Sequence, residues 1–428
     1  MKPIPWLDLR PDDPFGLAAL PYGVARAEHT THVVVRIGDH AIDLAVLADT
    51  GAFDDVPGVT PGMFDGNLDR FMAAGRATWK AVRSRLQDLL SEGGQADLTD
   101  DDVVRGRGLH PVDGLTLVQP FTVADYVDFY CSINHATNMG RILRPDDEPL
   151  LPNWRHLPIG YHGRSGTIAV TGTDVVRPNG LRAGPDAPTF GPTRRMDFEL
   201  EVGMVVGGAS SIGSPVDIDA FDDHVFGLCL VNDWSARDIQ GYEYRPLGPF
   251  LGKSFLTSIA AWVLPLDAVA PAFRQPPTQD PTPADYLRAD RDWAVPIRLE
   301  VLLQTTAMRD AGQNAVVIAA TDFVDMYWTL AQMLAHATIN GASLRTGDLF
   351  ASGTVSGTEP STYGSMMELS WGGQEPIDLP SGEHRTFLED GDTITLRGVT
   401  TLADGTAVGW ADVTGTIRPH VDLPAATP

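Results

Sequence analysis

Residues 225–232 form an almost wholly apolar run, and this run constrains the fold more than any other feature of the sequence. Without alternating polar residues, it predicts a strand that is buried on both faces and covered by other layers. The run ends abruptly at Asp233, and the polar segment after it is helix-like. Asp233 is therefore either the N-cap of that helix or part of a site at the strand end.

The length of the chain and its turn content predict how it is organised. With 428 residues it exceeds the usual size of one hydrophobic core, so we expect two domains. A polar, turn-rich stretch around residues 97–114 places the boundary near 117 and predicts domains 1–117 and 118–428. The 43 Gly and 33 Pro favour short strands over long helices, which predicts a mainly β, α+β protein.

Hydrophobic periodicity predicts the individual elements. Alternating or continuous apolar runs predict strands within 32–48 (two strands around a Gly-Asp turn), 197–206, 225–232 and 298–304. Helical spacing predicts helices at 68–90 and 322–340. Repeated Pro predicts that 265–296 is a long surface loop.

Charge and composition exclude several classes of protein. The formal net charge of −25 disfavours binding to nucleic acid or to anionic membranes, which depends on Lys and Arg. A signal peptide and an apolar run of 18 residues are both missing, so we expect a cytoplasmic protein. Cys131 and Cys229 are too few for a disulfide scaffold and are interpreted as reduced core residues. Zincin, α/β-hydrolase and Rossmann motifs are absent from the sequence.

Three acidic residues alternate along the segment DFELEVG. A strand there would place Asp197, Glu199 and Glu201 on one face, because side chains alternate with a period of two. Carboxylates about 6.6 Å apart can converge on one divalent cation, and oxygen ligands without His or Cys favour Mg²⁺ or Ca²⁺. A solvated outer face of the sheet is the alternative.

Other polar residues suit an anionic substrate. Arg237, Gln240 and Tyr244 recur at spacings of three and four, so one helical face carries all three, either as an exposed face or as a carboxylate-binding one. Lys253 is a rare lysine within an apolar stretch, by chance or because a compact ammonium group is needed there. Asp128, Tyr130 and His135 fall within eight residues, and His135 is either a structural histidine or a base.

Five motifs, taken together and in this order, resemble the fumarylacetoacetase family in its long, two-domain form: DFYCSINHATNMGRILR, LPNWRHLPIGYHGR, MDFELEVG, NDWSARDIQGYEYRPLGPFLGKSF and FASGTVSGTEPSTYGSMMELSW. The resemblance covers essentially the whole chain. It implies a small amino-terminal SH3-like β-barrel, followed by a large mixed β-sandwich roll that forms homodimers.

The resemblance also implies roles for individual residues. The cation ligands would be Asp128, Glu199, Glu201 and Asp233, with Lys253 and Thr257 at a second, Mg²⁺-type position near Asp233. His135 would activate water and be oriented by Glu368. Charge on the cleaved diketone would be stabilised by Arg237, Gln240 and Lys253. The substrate would be held by Tyr130, Arg144, Tyr161, Gln240, Tyr244 and Thr354.

The implied reaction is hydrolysis of a carbon–carbon bond in 4-fumarylacetoacetate, a β-diketo acid, to fumarate and acetoacetate, the last step of tyrosine and phenylalanine catabolism. A β-diketone chelates a divalent cation through its two oxygens, so the chemistry needs no covalent nucleophile. An acylpyruvate hydrolase or a 2-oxo acid decarboxylase or hydratase with a similar site is one alternative. A non-catalytic carboxylate-binding protein with a structural metal is the other.

Overall fold

The computed structural model describes residues 3, 7–10, 12–27, 30–93 and 104–422. Before residue 118 the strands are β1 (Tyr22–Ala27), β2 (Thr30–Ile37), β3 (His40–Asp43), β4 (Leu109–Pro111) and β5 (Thr116–Leu117). The helices of this part are α1 (Leu44–Asp49), α2 (Asp69–Ala73) and α3 (Arg76–Leu89). Part of the predicted linker around 97–114 lies outside the described residues.

The rest of the chain is rich in short strands. They are β6 (Tyr126–Phe129), β7 (Gly160–His162), β8 (Ile168–Val170), β9 (Val175–Val176), β10 (Asn179–Arg182), β11 (Thr189–Pro192), β12 (Met196–Asp197), β13 (Leu200–Val206), β14 (Val225–Asp233), β15 (Ser235–Ala236), β16 (Thr257–Ile259), β17 (Trp262–Pro265), β18 (Arg298–Gln304), β19 (Val316–Asp322), β20 (Leu349–Ala351), β21 (Ile377–Asp378), β22 (His384–Arg385), β23 (Thr393–Thr401) and β24 (Ala407–Arg418). The helices are α4 (Ile133–Leu143), α5 (Phe221–His224), α6 (Arg237–Glu243), α7 (Leu266–Val269), α8 (Thr306–Asp310), α9 (Leu330–Thr338) and α10 (Met366–Leu369).

One large mixed sheet positions the polar residues of interest. Its strand order is β4-β3-β2-β1-β17-β14-β13-β20-β6-β7, with β5 on β1, and β16 on β14 and β8. Every residue of β14 is buried, as its apolar run predicts, and β13 and β17 flank the strand on this path. A second sheet, in the order β19-β18-β23-β24-β9, packs near β14, where Gly415 of β24 lies against the Trp234 ring.

The amino-terminal strands join the large sheet instead of forming a closed ring. β1 pairs with β17, with Tyr22 opposite Val263, and the described pairings run from β4 through β3 and β2 to β1 and β5. Among the described strands no pair joins β4 to β5, so no closed barrel is found. The fold is a sheet-rich mixture of strands and helices. No helix within the described ranges has the length and apolar character needed to cross a bilayer.

Several predicted boundaries are wrong, and local chemistry explains each difference. The second strand of 32–48 ends at Asp43, whose carboxylate accepts the Ala45 and Val46 N–H groups and so caps α1. The helix predicted for 68–90 is interrupted before Arg76, because Gly75 has φ +84° and caps α3.

The helix predicted for 322–340 begins later. Strand β19 continues to Asp322, and α9 starts only after Thr329, which forms a reciprocal capping box with Gln332. By contrast, β18 matches the predicted strand 298–304. The Pro-rich segment 265–296 has few regular elements, as predicted, although it also contains α7.

Candidate active site

Strands β13 and β14, together with Glu199 immediately before β13, supply three of the four predicted cation ligands. Leu200 on β13 lies opposite Asn232 on β14, which brings Glu199 and Glu201 beside Asp233 at the end of β14. The Asp233 N–H also donates to the Glu199 carbonyl. Glu199 is 4% exposed and Glu201 fully buried, so the alternative of a solvated outer face is wrong.

The strand predicted at 197–206 is interrupted, and this separates Asp197 from the two glutamates. Asp197 ends β12, which pairs with β15, whereas β13 begins at Leu200. Glu199 lies between them and forms an isolated bridge with Ser365. Glu199 and Glu201 converge as predicted, but Asp197 does not join them.

The fourth carboxylate comes from a distant segment. Strand β6 lies between β20 and β7, and it places Asp128 beside the other three acids. Each of the four residues offers one oxygen, and these oxygens all lie within 4.8 Å of one another. All four side chains are buried. The predicted ligands Asp128, Glu199, Glu201 and Asp233 therefore form one cluster, here called the acidic cluster.

The electrostatics of the acidic cluster fit a divalent cation. Asp128 Oδ1 and Glu201 Oε1 are buried without a hydrogen-bond partner among the described residues. Burial first and the neighbouring carboxylates second raise the pKa of both groups well above the ordinary range. Four buried carboxylates supply oxygens of hard character, and the two oxygens without partners have unused capacity to bind a divalent cation, which would offset the repulsion.

Lys253 and Thr257 contact the acidic cluster on the side of Asp233, here called the Asp233 side. Lys253 Nζ lies 2.8 Å from Asp233 Oδ2 and also contacts Glu199. Burial alone would lower the pKa of Lys253, but Asp233 and Glu199 outweigh it and raise the pKa. Thr257 Oγ1 donates to Asp233 Oδ1 at 2.6 Å, so the Asp233 carboxylate is engaged here and does not cap α6.

Arg237 connects the acidic cluster to Asp197. Its Nη1 lies 2.8 Å from Glu199 Oε1 and donates to Gln240 Oε1 at 3.1 Å, and its Nε donates to Asp197 Oδ2 at 2.6 Å. Asp197 is fully buried and also accepts the backbone N–H groups of Met366 and Met367, the first two residues of α10. This buried carboxylate therefore ties the Arg237 guanidinium to the start of α10.

His135 and Glu368 meet across 233 residues of sequence. His135 Nδ1 lies 2.7 Å from Glu368 Oε2, and His135 Nε2 lies 3.9 Å from Glu199 Oε1. Each residue is the third of its helix, where a serine hydroxyl caps its N–H group, Ser132 for α4 and Ser365 for α10. The contact predicted between His135 and Glu368 is present in the structure.

Sequence reasoning missed the residues that hold Glu368 in place. Asn138 Nδ2 donates to Glu368 Oε1 at 3.0 Å, and the hydroxyl groups of Ser356 and Ser365 donate to Oε2 at 2.9 and 2.8 Å. Hydrogen bonds to the ionised form and the neighbouring His135 outweigh burial and lower the pKa of Glu368. The S-x-x-E pattern at 365–368 was a usable signal for Ser365, because it is a capping motif.

The predicted substrate-binding residues lie around the acidic cluster at different distances. The Tyr161 hydroxyl is 3.5 Å from Asp233 Oδ2, and the Tyr130 ring packs edge-on against His135 at 5.4 Å between centroids. Thr354 Oγ1 is buried without a partner among the described residues. Arg144 donates to the Pro149 carbonyl, and Tyr244, at the carboxyl end of α6, has no contact with the acidic cluster among those described.

A cleft of about 170 Å³ reaches the acidic cluster from the Asp233 side. Its lining residues are Tyr126, Tyr161, His162, Gly163, Arg164, Asp233, Pro249, Phe250, Lys253, Ser254 and Thr257. Tyr161, Lys253 and Thr257 were predicted for the site. The segment around Arg164 and the Phe250 ring were not, because nothing in their spacing indicates a shared wall.

Replacement of Asp197 by Asn tests the link between Arg237 and α10. We expect the free energy of unfolding to fall by about 3–5 kcal/mol, because the Arg237 charge stays buried with one partner fewer. Urea unfolding in the presence of a fixed concentration of divalent cation measures the change. The matched control is Asp412→Asn, which removes an exposed partner of Arg397 and should cost about 1 kcal/mol or less. Equal losses for both variants would contradict the interpretation.

The mixed sheet, the acidic cluster and the histidine paired with a carboxylate beside it define a class of protein, an enzyme with a buried acidic cluster that could bind a divalent cation. Two family models match the chain, "Fumarylacetoacetase N-terminal" over residues 18–120 and "Fumarylacetoacetate (FAA) hydrolase C-terminal" over residues 125–416. The chain belongs to the fumarylacetoacetase family.

Individual relatives agree with the family models. The chain is 44% identical to fumarylacetoacetase of Arabidopsis thaliana over 419 residues, which is 97% of this chain and 98% of that protein. It is 42% identical to the human fumarylacetoacetase, over 95% of this chain and 97% of that one. A solved fumarylacetoacetate hydrolase from Exiguobacterium antarcticum has a TM-score of 0.52 at 14% identity, covers 94% of this chain and 100% of its own, and shows the fold alone.

Proposed function

We propose that this enzyme hydrolyses a carbon–carbon bond of 4-fumarylacetoacetate to give fumarate and acetoacetate. The observation that carries the proposal is the position of His135, which touches Glu368 through Nδ1 and has Nε2 3.9 Å from Glu199 of the acidic cluster. A base is thereby held next to the place where a chelated diketone would lie. The names of the curated relatives support the same substrate.

The acidic cluster would hold the cation through Asp128, Glu199, Glu201 and Asp233. Bound there, a divalent ion would polarise the diketone carbonyl that water attacks. Hard oxygen ligands favour Ca²⁺ or Mg²⁺ over Zn²⁺. The proposal also includes a second, Mg²⁺-type position near Asp233, beside Thr257 and Lys253, whose Oγ1 and Nζ both contact the Asp233 carboxylate.

His135 would take the proton of the attacking water at Nε2. With the Nδ1 proton directed to Glu368, Nε2 carries the free lone pair that a general base needs. Glu368 keeps its own position through Asn138, Ser356 and Ser365, so it orients the ring without moving. The same His135 proton can then pass to the departing carbon.

The remaining residues would bind and stabilise charge. Arg237 and Lys253 carry donors next to Glu199, and Gln240 accepts from Arg237, so we propose that these three residues stabilise the negative charge that develops on the cleaved diketone. The other substrate contacts that we propose are Tyr130, Arg144, Tyr161, Gln240, Tyr244 and Thr354. The Thr354 hydroxyl, which has no partner within the described part of the chain, supports this assignment, because a buried donor without a partner costs free energy.

Five further features belong to this proposal. The amino-terminal sheet is an SH3-like module, the larger part is a mixed β-sandwich roll, and the boundary between them is near residue 117. The enzyme acts in the cytoplasm. It forms a homodimer, which is supported by the exposed apolar side chains of Leu247 (94%) and Phe250 (65%).

The substrate proposal is tested by the loss of fumarylacetoacetate absorbance on addition of enzyme, with fumarate and acetoacetate identified as the products. We expect kcat/KM for this compound to exceed that for an acylpyruvate of similar size by about tenfold or more, since each good polar contact contributes about 1 kcal/mol. Faster cleavage of the acylpyruvate would favour a related hydrolase. Binding without turnover of either compound would favour a carboxylate-binding protein.

A further inference from the structure

One face of the strand pair β6–β7 runs through the acidic cluster. Tyr126, Asp128 and Tyr130 alternate along the chain and so share this face. In the antiparallel register Tyr161 lies opposite Asp128, and the Gly163 N–H donates to the Tyr126 carbonyl. Asp128 is therefore in the middle of the face, with Tyr130 towards one end and Tyr126 towards the other.

The Tyr130 end of this face already has a cation. Arg144 directly follows α4, whose Ala136 carbonyl accepts a hydrogen bond from the Tyr130 hydroxyl, and its charge acts on the Tyr130 phenol. Arg144 itself is half-buried, and its Nε has no partner among the described residues. Arg144 is thus placed to meet an anionic group that approaches Tyr130.

The Tyr126 end has a cation that sequence reasoning did not assign. Arg164 lines the cleft together with Tyr126 and Lys253, and its side chain is exposed. Within the described part of the chain no ion pair and no side-chain hydrogen bond engages its guanidinium, whereas Lys253 and Arg237 are both paired with carboxylates. In a chain with a net charge of −25, an unpaired arginine at the mouth of the acidic site is a distinct feature.

The backbone holds Arg164 beside the cleft. A β-carbon on the preceding Gly163 would lie 2.2 Å from the Tyr126 ring, so only glycine allows the two segments to approach this closely. The Arg164 carbonyl accepts from the Thr167 N–H at 3.3 Å, and the Thr167 hydroxyl donates to the Ser254 carbonyl at 2.8 Å. Arg164 is therefore attached to the segment that carries Lys253.

The separation of the two ends suits a substrate with two carboxylates. From Tyr126 to Tyr130 is four residues, or roughly 13 Å along a strand. An extended eight-carbon chain with seven bonds of about 1.5 Å spans roughly 9 Å between its terminal carbons, which leaves room for a guanidinium at each end. Its central diketone would then lie opposite Asp128.

We propose that Arg164 is a specificity-determining residue that binds the fumaryl carboxylate of a dicarboxylic diketo acid, while the acetoacetate terminus lies at the Tyr130 end. The inference rests on the proposed function and adds to it the selection of diacids over monoacids. A guanidinium suits this task because it forms two parallel hydrogen bonds to one carboxylate.

The test compares two substrates in wild-type enzyme and in Arg164→Ala, namely fumarylacetoacetate and its monoester at the fumaryl terminus. We expect Arg164→Ala to raise KM for the diacid about 10- to 100-fold, in line with a charged hydrogen-bond pair, and to change KM for the monoester less than about twofold. The kcat for the diacid should change far less than KM. Arg164→Lys should recover part of the loss, because it restores the charge but not the paired geometry.

The matched control is Arg26→Ala, which removes an exposed arginine from β1 and should change neither KM. Equal effects of Arg164→Ala on diacid and monoester, or none on either, would overturn the inference while leaving the proposed function intact. If wild-type enzyme cleaves neither compound, the proposed function itself fails. The melting temperatures of all variants in the presence of cation should stay within a few degrees of the wild-type value. If Arg164→Ala does not fold, Arg164→Lys and Arg164→Gln are compared with wild type instead.

Discussion

Replacement of His135 by Ala is expected to reduce kcat by about 10²- to 10⁴-fold, which is the usual contribution of a general base. The fold should survive, because Glu368 keeps its hydrogen bonds from Asn138, Ser356 and Ser365 after the imidazole is removed. The cation content should also be unchanged, since the ligand oxygens belong to the acidic cluster. The measurements are the initial rate of fumarylacetoacetate loss, the metal content and the thermal unfolding curve.

A surface histidine provides the matched control for this substitution. His384 lies 2.6 Å from Asp378 in an exposed pair, so His384→Ala removes the same type of contact away from the site. Its kcat should equal that of wild type. A His135→Ala enzyme with full activity would refute the assignment of His135 as the base. If the variant loses its cation, His135 instead supports activity by helping the acidic cluster to hold the cation.

Replacement of Glu201 by Gln is expected to lower the affinity for a divalent cation roughly 100-fold or more, because the charge of one of four carboxylates whose oxygens lie within 4.8 Å of one another is removed. Activity at limiting cation should fall in parallel. Without cation the variant should unfold at the same or a higher temperature than wild type, because repulsion among the buried carboxylates is reduced. The gain in melting temperature on addition of Ca²⁺ or Mg²⁺ should largely disappear.

Calorimetric titration with each ion and thermal unfolding with and without it measure these effects, and neither depends on turnover. The control is Glu300→Gln on β18, a half-buried glutamate outside the acidic cluster, which should leave cation binding unchanged. A Glu201→Gln protein with wild-type affinity would show that the cation binds elsewhere. An enzyme whose activity is insensitive to a chelator would contradict the cation model altogether.

How much of the structure could be predicted from the sequence depends on how far apart along the chain the interacting residues lie. The buried strand ending at Asp233 was predictable because its apolar run is local, and β14 occupies that stretch. The convergence of Glu199 and Glu201 was also predictable, since their spacing of two is a property of extended backbone. The boundaries of α3 and α9 were not, because they depend on Gly75 and on the capping box of Thr329.

The partners of buried polar groups were the hardest part to predict. Asp197 has the same spacing as its neighbours, yet a break in the strand turns it towards Arg237 and α10. Asp233 has the sequence context of a helix cap, yet its oxygens contact Lys253 and Thr257. A buried carboxylate takes whichever donors the tertiary fold brings to it, and these donors are remote in sequence.

Local pattern by itself determined the central strand β14 and the alternation of acids in the neighbouring segment 197–201. The family resemblance supplied the predicted set of site residues. Only the tertiary structure decided that β6, paired with β20, places Asp128 beside the other three predicted ligands, that α4 and α10 bring His135 to Glu368, and that Arg164 lines the cleft. The physical reason is that side-chain periodicity extends over a few residues, whereas charge pairing and desolvation act through space between segments up to 233 residues apart.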